Sequence, residues 1–334
     1  MKIGVLGAGS WGTTLAVLLS NNNHNVTLWS WSAEDAETMR ASGRNTVYLP
    51  DLPLPAALRI SCDITQTCTD ADLLVVSTPT QHIRAVLTGI PVDLLRDPIL
   101  VNVAKGIEKD SLLRVSQVIA DVVPGFDPHR YAILSGPSHA EEVAQQRPTT
   151  VVAASINPRT TALTAQVFMT DTFRVYGSDD VVGVELGGAL KNVIAIGAGI
   201  CDGSNFGDNT KAALITRGIA EIRRLGVHLG SDPHTFAGLS GLGDLIVTTM
   251  SRHSRNRYVG EQIGKGRKLP DILQEMRMIA EGVDTARSAH DLAVRHGVEM
   301  PIVAQMYEIL FNGKDPILAT QELMTRQAKN EVWS

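Results

Sequence analysis

The run Gly7-Ala8-Gly9-Ser10-Trp11-Gly12 lies between an apolar, β-branched stretch, Lys2 to Leu6, and a helical pattern, Thr13 to Ser20. A strand that ends in Gly-x-Gly-x-x-Gly and opens a helix turns backbone N–H groups and the positive end of a helix dipole toward one point, where a pyrophosphate can sit. In such a turn Gly7 makes the tight bend, Gly9 lets the backbone approach the anion, and Gly12 lets the helix pack against the strand. A glycine-rich turn without a ligand is the alternative. The flanking strand and helix favour dinucleotide binding.

From residue 2 to about 178, short β-branched runs alternate with helical patterns: Lys2 to Leu6, Asn25 to Trp29, Leu58 to Ser61, Leu73 to Ser77, Ile99 to Ala104, Tyr131 to Leu134, Thr149 to Ala154 and Phe173 to Tyr176. That alternation predicts a parallel sheet, and the continuous apolar runs predict strands covered on both faces. After Gly177 the strand signal stops, and Leu214, Ile215, Ile219, Ile222 and Leu225 recur near helical spacing. The fold class is therefore α/β, with a Rossmann-like, mostly parallel sheet domain over 1–178 and an all-helical substrate-binding and catalytic domain over 179–334. Ser178 or Asp179 is expected to cap the first helix of the second domain.

The 334 residues carry 30 Lys plus Arg against 35 Asp plus Glu, a net charge of -5, and 4% aromatics. A negative chain with few rings argues against a nucleic acid partner. No uninterrupted apolar stretch approaches the ~20 residues that span a bilayer. The apolar opening after Met1-Lys2 is broken by Gly7, Gly9 and Gly12 and lacks a cleavage site, so export is not expected. Cys62, Cys68 and Cys201 form no CxxC pair and read as reduced thiols, which implies a cytoplasmic location. Nine histidines without HxxxH or HExxH spacing give no metal site.

An NAD-specific site usually has an acid at the end of the second strand, about 20 residues beyond the glycines. Here that end reads Trp29-Ser30-Trp31-Ser32, and the first carboxylate, Glu34, falls in the following helix. No arginine is present there either. NAD and NADP both remain open as the cofactor.

Lys105 lies just past the run Ile99 to Ala104, at the carboxyl end of a predicted strand where ligands of open sheets bind. Lys191 and Glu185 are the only charged residues between Val181 and Cys201. On a helix, Lys191 has Gly187, Gly188, Ile194 and Ala195 as neighbours. Such an apolar setting lowers the pKa of an ammonium and makes a general base near neutrality, unless the lysine snorkels to the surface. Glu185 points to another side. Asp244, in Gly241-Leu242-Gly243-Asp244, reads either as a helix N-cap or as a carboxylate that orients that lysine. Residues 251–268 hold Arg252, Arg255, Arg257, Lys265, Arg267 and Lys268 against Glu261 alone, so this basic island is either a candidate anion site or a solvated face.

Taken together, Gly7 to Gly12, Arg44-Asn45, Tyr48-Leu49-Pro50, Lys105-Gly106, Gly136-Pro137-Ser138, Lys191-Asn192, Gly241 to Asp244, Ser254-Arg255-Asn256 and Glu281-Gly282-Val283 resemble NAD(P)-dependent glycerol-3-phosphate dehydrogenases of the bacterial type. The resemblance runs over essentially the whole chain. It implies interconversion of sn-glycerol 3-phosphate and dihydroxyacetone phosphate, serving glycerophospholipid synthesis. It also implies catalytic roles for Lys191 as proton acceptor, Lys105 and Asp244. Substrate contacts carried over fall on Lys105, Gly136, Ser138, Lys191, Asp244, Ser254, Arg255 and Asn256. Cofactor contacts fall on Gly7, Gly9, Ser10, Trp11, Gly12, Trp31, Lys105, Ala140, Arg255, Ile279 and Glu281. Two positions depart from the family pattern: Trp31, where a polar or basic residue is frequent, and His139, where a phenyl side chain is common. The partner is thus a phosphorylated small molecule, with a homodimer the commonest expectation for assembly. Two rival readings are another two-domain β-hydroxyacid dehydrogenase, acting on a carboxylate, and a non-catalytic dinucleotide sensor.

Overall fold

The computed structural model describes residues 1–276, 278–328 and 330–331. Ten strands occur among them: β1 (Lys2–Leu6), β2 (Asn25–Trp29), β3 (Arg44–Asn45), β4 (Leu49–Pro53), β5 (Arg59–Ser61), β6 (Leu73–Val76), β7 (Ile99–Asn102), β8 (Tyr131–Ser135), β9 (Thr149–Ala154) and β10 (Phe173–Ser178). Eight of them form one sheet in the order β10-β9-β8-β7-β6-β1-β2-β5. The β-branched runs become its central strands because both faces are covered: every residue of β6 and β8 is buried.

All pairings in this sheet are parallel except β8 with β9, which is antiparallel. The expectation of a parallel sheet fails at that one pairing for a local reason. The chain leaves β8 at Gly136, whose φ is +145°, forms only the short helix Ala140–Ala144, and enters β9 from the same end. No crossover brings it back to the other edge. The pair β3 and β4, an antiparallel hairpin, escapes the strand reading because its residues are mostly exposed and lack an apolar run.

β1 is followed by β2 on one side and flanked by β6 on the other, so the order reverses at its carboxyl end. Ligands of open sheets bind at such a switch point. Gly7, Ser77, Lys105 and Gly136, which follow β1, β6, β7 and β8, line that edge.

No strand follows Ser178 among the described residues. The next element is the helix Val181–Gly203, and its cap is Asp180, whose side chain accepts from the Gly183 N–H, rather than Ser178 or Asp179. This helix is long and apolar enough to cross a membrane, yet 94% of its apolar window is buried inside the fold. It forms the axis of the helical half, wrapped by the helices Asp208–His228, Asp244–Met250, Arg255–Gly264 and Glu281–His296. Its glycines permit backbone contact with the helix Arg255–Gly264. A Cβ at Gly199 would stand 2.0 Å from the Arg257 carbonyl, and one at Gly260 would stand 1.9 Å from that of Ile196. The apolar core of the helical half gathers Leu186, Leu190, Val193, Ile222, Leu245, Val259, Ala286 and Val303 around this axis.

Candidate active site

The glycine turn has the geometry that its sequence requires. Gly7 has φ +125°, a conformation that L side chains avoid. A Cβ at Gly12 would fall 2.0 Å from the Gly7 carbonyl and 2.4 Å from Ser77 Oγ. A Cβ at Gly9 would meet no atom within 4 Å, so the turn faces open space at that point. The helix Ser10–Asn21 begins there with no side chain capping its N-terminus, and Trp11 Nε1 is buried without a partner. Free N–H groups, a helix dipole and a position open to close approach together fit a dinucleotide pyrophosphate.

The support beneath this turn was not read from the sequence. Asn45 Nδ2 donates to the Ala8 carbonyl and to Thr13 Oγ1, both at 2.8 Å, so the β3–β4 hairpin holds the turn from one side. Ser77 Oγ donates to the Gly7 carbonyl at 2.9 Å from the other. The role of Asn45 is a contact distant in sequence, with no periodicity to betray it.

The second cluster gathers residues from three segments. Lys105 follows β7, Lys191 lies midway along the helix Val181–Gly203, and Asp244 begins the helix Asp244–Met250. Asp244 is the first helical residue, with Gly243 before it as the cap, so the N-cap alternative does not hold. Its carboxylate receives Lys105 Nζ on one oxygen and Lys191 Nζ on the other, each at 2.7 Å. Lys105 Nζ also donates to the Gly136 carbonyl at 3.0 Å, and Lys191 Nζ donates to Thr248 Oγ1 at 2.6 Å. Gly188 makes room for Ser135 beside the Lys105 stem, since a Cβ there would stand 2.8 Å from Ser135 Oγ. Asn192 Nδ2 donates to the Lys105 carbonyl at 3.0 Å. Thr248 lies one helical turn after Asp244, so the i, i+4 rule was the signal that could have found it.

Electrostatics follow from this packing. The Lys191 side chain is 7% exposed and that of Asp244 2%. Burial pulls the Lys191 ammonium down from its ordinary value to about 8; Asp244 resists that shift and the Lys105 charge adds to it. Burial alone would raise the Asp244 carboxyl, but the two ammonium groups outweigh it and hold the carboxyl below its usual range. His139 lies close by, its ring centroid 5.9 Å from that of His253 and its Nε2 buried without a partner. Burial, reinforced by the Lys191 charge, lowers its imidazole to about 4, so it is neutral at physiological pH.

Other carried-over residues border these two clusters. Ser138 Oγ donates to the Gly136 carbonyl at 3.0 Å, and the Ala140 carbonyl accepts from Thr14 Oγ1 at 3.3 Å, which ties this loop to the glycine-turn helix. Ser254 caps the helix Arg255–Gly264 by accepting from Arg257 N at 3.2 Å. Asn256 Oδ1 accepts from Gly282 N at 2.9 Å, and Glu281 Oε1 accepts from Thr80 N at 2.8 Å. Trp31 is 80% exposed and Ile279 43%, so neither is drawn into a packed site.

Three of the six cations of the basic island are paired. Arg257 pairs with Asp202 at 2.7 Å, Lys265 with Glu261 at 2.6 Å and Arg267 with Glu275 at 2.6 Å. Those acids lie partly outside 251–268, which is why the local count overstated the free charge. Arg255 is half-buried and, like Arg252, enters no ion pair among the described residues.

The comparisons agree over the whole length. The family model described as NAD-dependent glycerol-3-phosphate dehydrogenase N-terminus matches residues 2–161, and its C-terminus counterpart matches 180–321. The glycerol-3-phosphate dehydrogenase [NAD(P)+] of Chlorobium phaeobacteroides is 51% identical over 332 residues, with 99% of each chain covered. That of Lysinibacillus sphaericus is 49% identical, covering 99% of this chain and 98% of its own. The crystal structure of glycerol-3-phosphate dehydrogenase from Coxiella burnetii superposes with a TM-score of 0.91 at 37% identity, covering 97% of this chain and 98% of that one. With a dinucleotide turn and a buried lysine-carboxylate centre at one sheet edge, this chain belongs to the NAD-dependent glycerol-3-phosphate dehydrogenase family.

Proposed function

We propose that the protein interconverts sn-glycerol 3-phosphate and dihydroxyacetone phosphate with NAD or NADP, residues 1–178 binding the dinucleotide and 179–334 completing the substrate site. The observation that carries this reading is the Lys191 amine, buried beside Asp244 and brought down to about 8. An amine of that value accepts a proton at physiological pH and returns it in the reverse direction.

The glycine turn and the helix Ser10–Asn21 would hold the cofactor pyrophosphate, and the family resemblance assigns further cofactor contacts to Trp11, Ala140, Ile279 and Glu281. NAD(P), when bound, supplies the carbon that exchanges hydride with C2 of the substrate. Lys191 Nζ takes the proton of the C2 hydroxyl as hydride leaves, a service of about 10²- to 10⁴-fold in rate. Asp244 holds the amine in place and balances the ammonium once it forms. Lys105, anchored by Asp244 and the Gly136 carbonyl, keeps a positive charge beside the developing alkoxide. Arg255, with Ser254, Asn256 and Ser138, binds the phosphate, whose distance from the reacting carbon lets its binding energy position C2.

The test is substrate choice by the purified protein. Oxidation of NADH or NADPH by dihydroxyacetone phosphate is expected, and turnover with keto acids alone would reject the reading. A cytoplasmic location is supported by the unpaired Cys62, Cys68 and Cys201, and a role in glycerophospholipid synthesis by the product. A homodimer is supported by the prevalence of twofold assemblies. Sedimentation that finds only a 35.9 kDa species would reject the dimer.

A further inference from the structure

We propose that Glu185 is a positioning residue for the reaction: its carboxylate pins the helix bearing Lys191 to the sheet half of the molecule and so sets Lys191 and Asp244 against Lys105. This rests on the assignment of proton transfer to Lys191.

The Glu185 side chain is 4% exposed and receives four donors. They are Ser116 N at 2.8 Å, Ser116 Oγ at 2.7 Å, Tyr131 Oη at 2.6 Å and the Arg114 guanidinium. None comes from the helical half. Tyr131 opens β8, and Arg114 and Ser116 form the start of the helix Val115–Val122, whose N-terminal end favours a carboxylate. A carboxylate buried this deeply is tolerated only when such donors replace its water. The arrangement is therefore tied to one register of the helix Val181–Gly203 against the sheet.

Glu185 and Lys191 lie six residues apart on that helix, about 9 Å of axial rise. Asn192, the next residue, donates to the Lys105 carbonyl. The two ties restrain both the slide and the rotation of the helix relative to the loop that carries Lys105. Lys191 and Asp244 belong to the helical half, whereas Lys105 reaches them from the sheet half. A slide of that helix together with the helix Asp244–Met250 packed on it therefore stretches the Lys105–Asp244 contact and leaves Lys191–Asp244 intact.

That asymmetry separates positioning from mere stabilisation. The titratable groups facing Lys191 are Asp244, Lys105, Glu281 and His139. Withdrawing the Lys105 charge removes a neighbour that disfavours a second ammonium, so the Lys191 titration moves to higher pH.

The experiment compares E185Q, Y131F and S116A with the wild-type protein in glycerol 3-phosphate oxidation across pH, alongside K191A and melting curves. In E185Q, kcat is expected to fall roughly ten- to hundredfold, as misplacement of a catalytic group does, with the KM for NAD(P) nearly unchanged. The acid limb of kcat/KM is expected to move up by about half a pH unit. Y131F and S116A act from the opposite side and should shift the limb in the same direction, each by less, and non-additively with E185Q. If E185Q does not fold, Y131F and S116A decide the matter. An inactive K191A together with unmoved limbs and kcat in the other variants, whatever their melting temperatures, would overturn the proposal alone. A K191A protein that turns over like wild type would instead overturn the assignment on which it rests.

Discussion

The glycine turn is built from six consecutive residues, whereas the lysine centre is assembled from residues 105, 191 and 244, on three segments of two halves. Each is held in shape by a different force. In the turn, backbone sterics dominate: a side chain at Gly12 has no space, and φ at Gly7 excludes one. In the centre, charge compensation dominates, because two ammonium groups and one carboxylate are tolerable in that burial only together. The turn should therefore fail through shape and the centre through charge, and perturbing one should leave the other standing.

The largest effect is expected from Lys191→Ala, which removes the proton acceptor. Turnover should drop by at least about 10²- to 10⁴-fold while the dissociation constant for NADH, read by fluorescence titration, stays within error. A parallel loss of cofactor affinity would break the separation between the regions. Gly12→Ala tests the other side. Its Cβ would meet the Gly7 carbonyl at 2.0 Å, so the turn must open, and NADH affinity should fall by roughly tenfold or more.

Asp244→Asn sharpens the electrostatic half of the comparison. Asp244 raises the Lys191 value against burial, so removing its charge should carry that amine below about 8. The acid limb of glycerol 3-phosphate oxidation then moves to lower pH while the maximal rate falls, since a more acidic amine is a weaker base and is less firmly held. A limb that moves upward would contradict the sign. The smallest effect is expected from Asn45→Ala, which deletes two hydrogen bonds beneath the glycine turn, about 1 kcal/mol each. The KM for the cofactor should rise several- to tenfold with kcat unchanged, measured by steady-state kinetics.

What could be read from the residues follows the same division. The turn was legible because its constraint is local: glycines at fixed spacing between a strand and a helix leave few alternatives. The sheet strands were legible for the same reason, each being a short apolar run bounded by polar turns. The antiparallel β8–β9 pairing was not, because direction depends on where the chain re-enters the sheet. In the centre, the apolar surroundings of Lys191 announced an unusual amine, but its exchange of one carboxylate with Lys105 required two halves to close on each other. The net charge of the basic island was not legible from its own stretch, because two of its partner acids, Asp202 and Glu275, lie outside it. Asn45 and Thr248 carry contacts that appear only once their partners are in space.

The most direct test of Lys191 as proton acceptor is the pH dependence of kcat/KM for glycerol 3-phosphate oxidation. The expected profile rises tenfold per pH unit, the slope of a single deprotonation, and levels off near about 8, where the buried amine loses its proton. A profile flat through that range, or the same limb persisting in the Lys191→Ala protein, would contradict it.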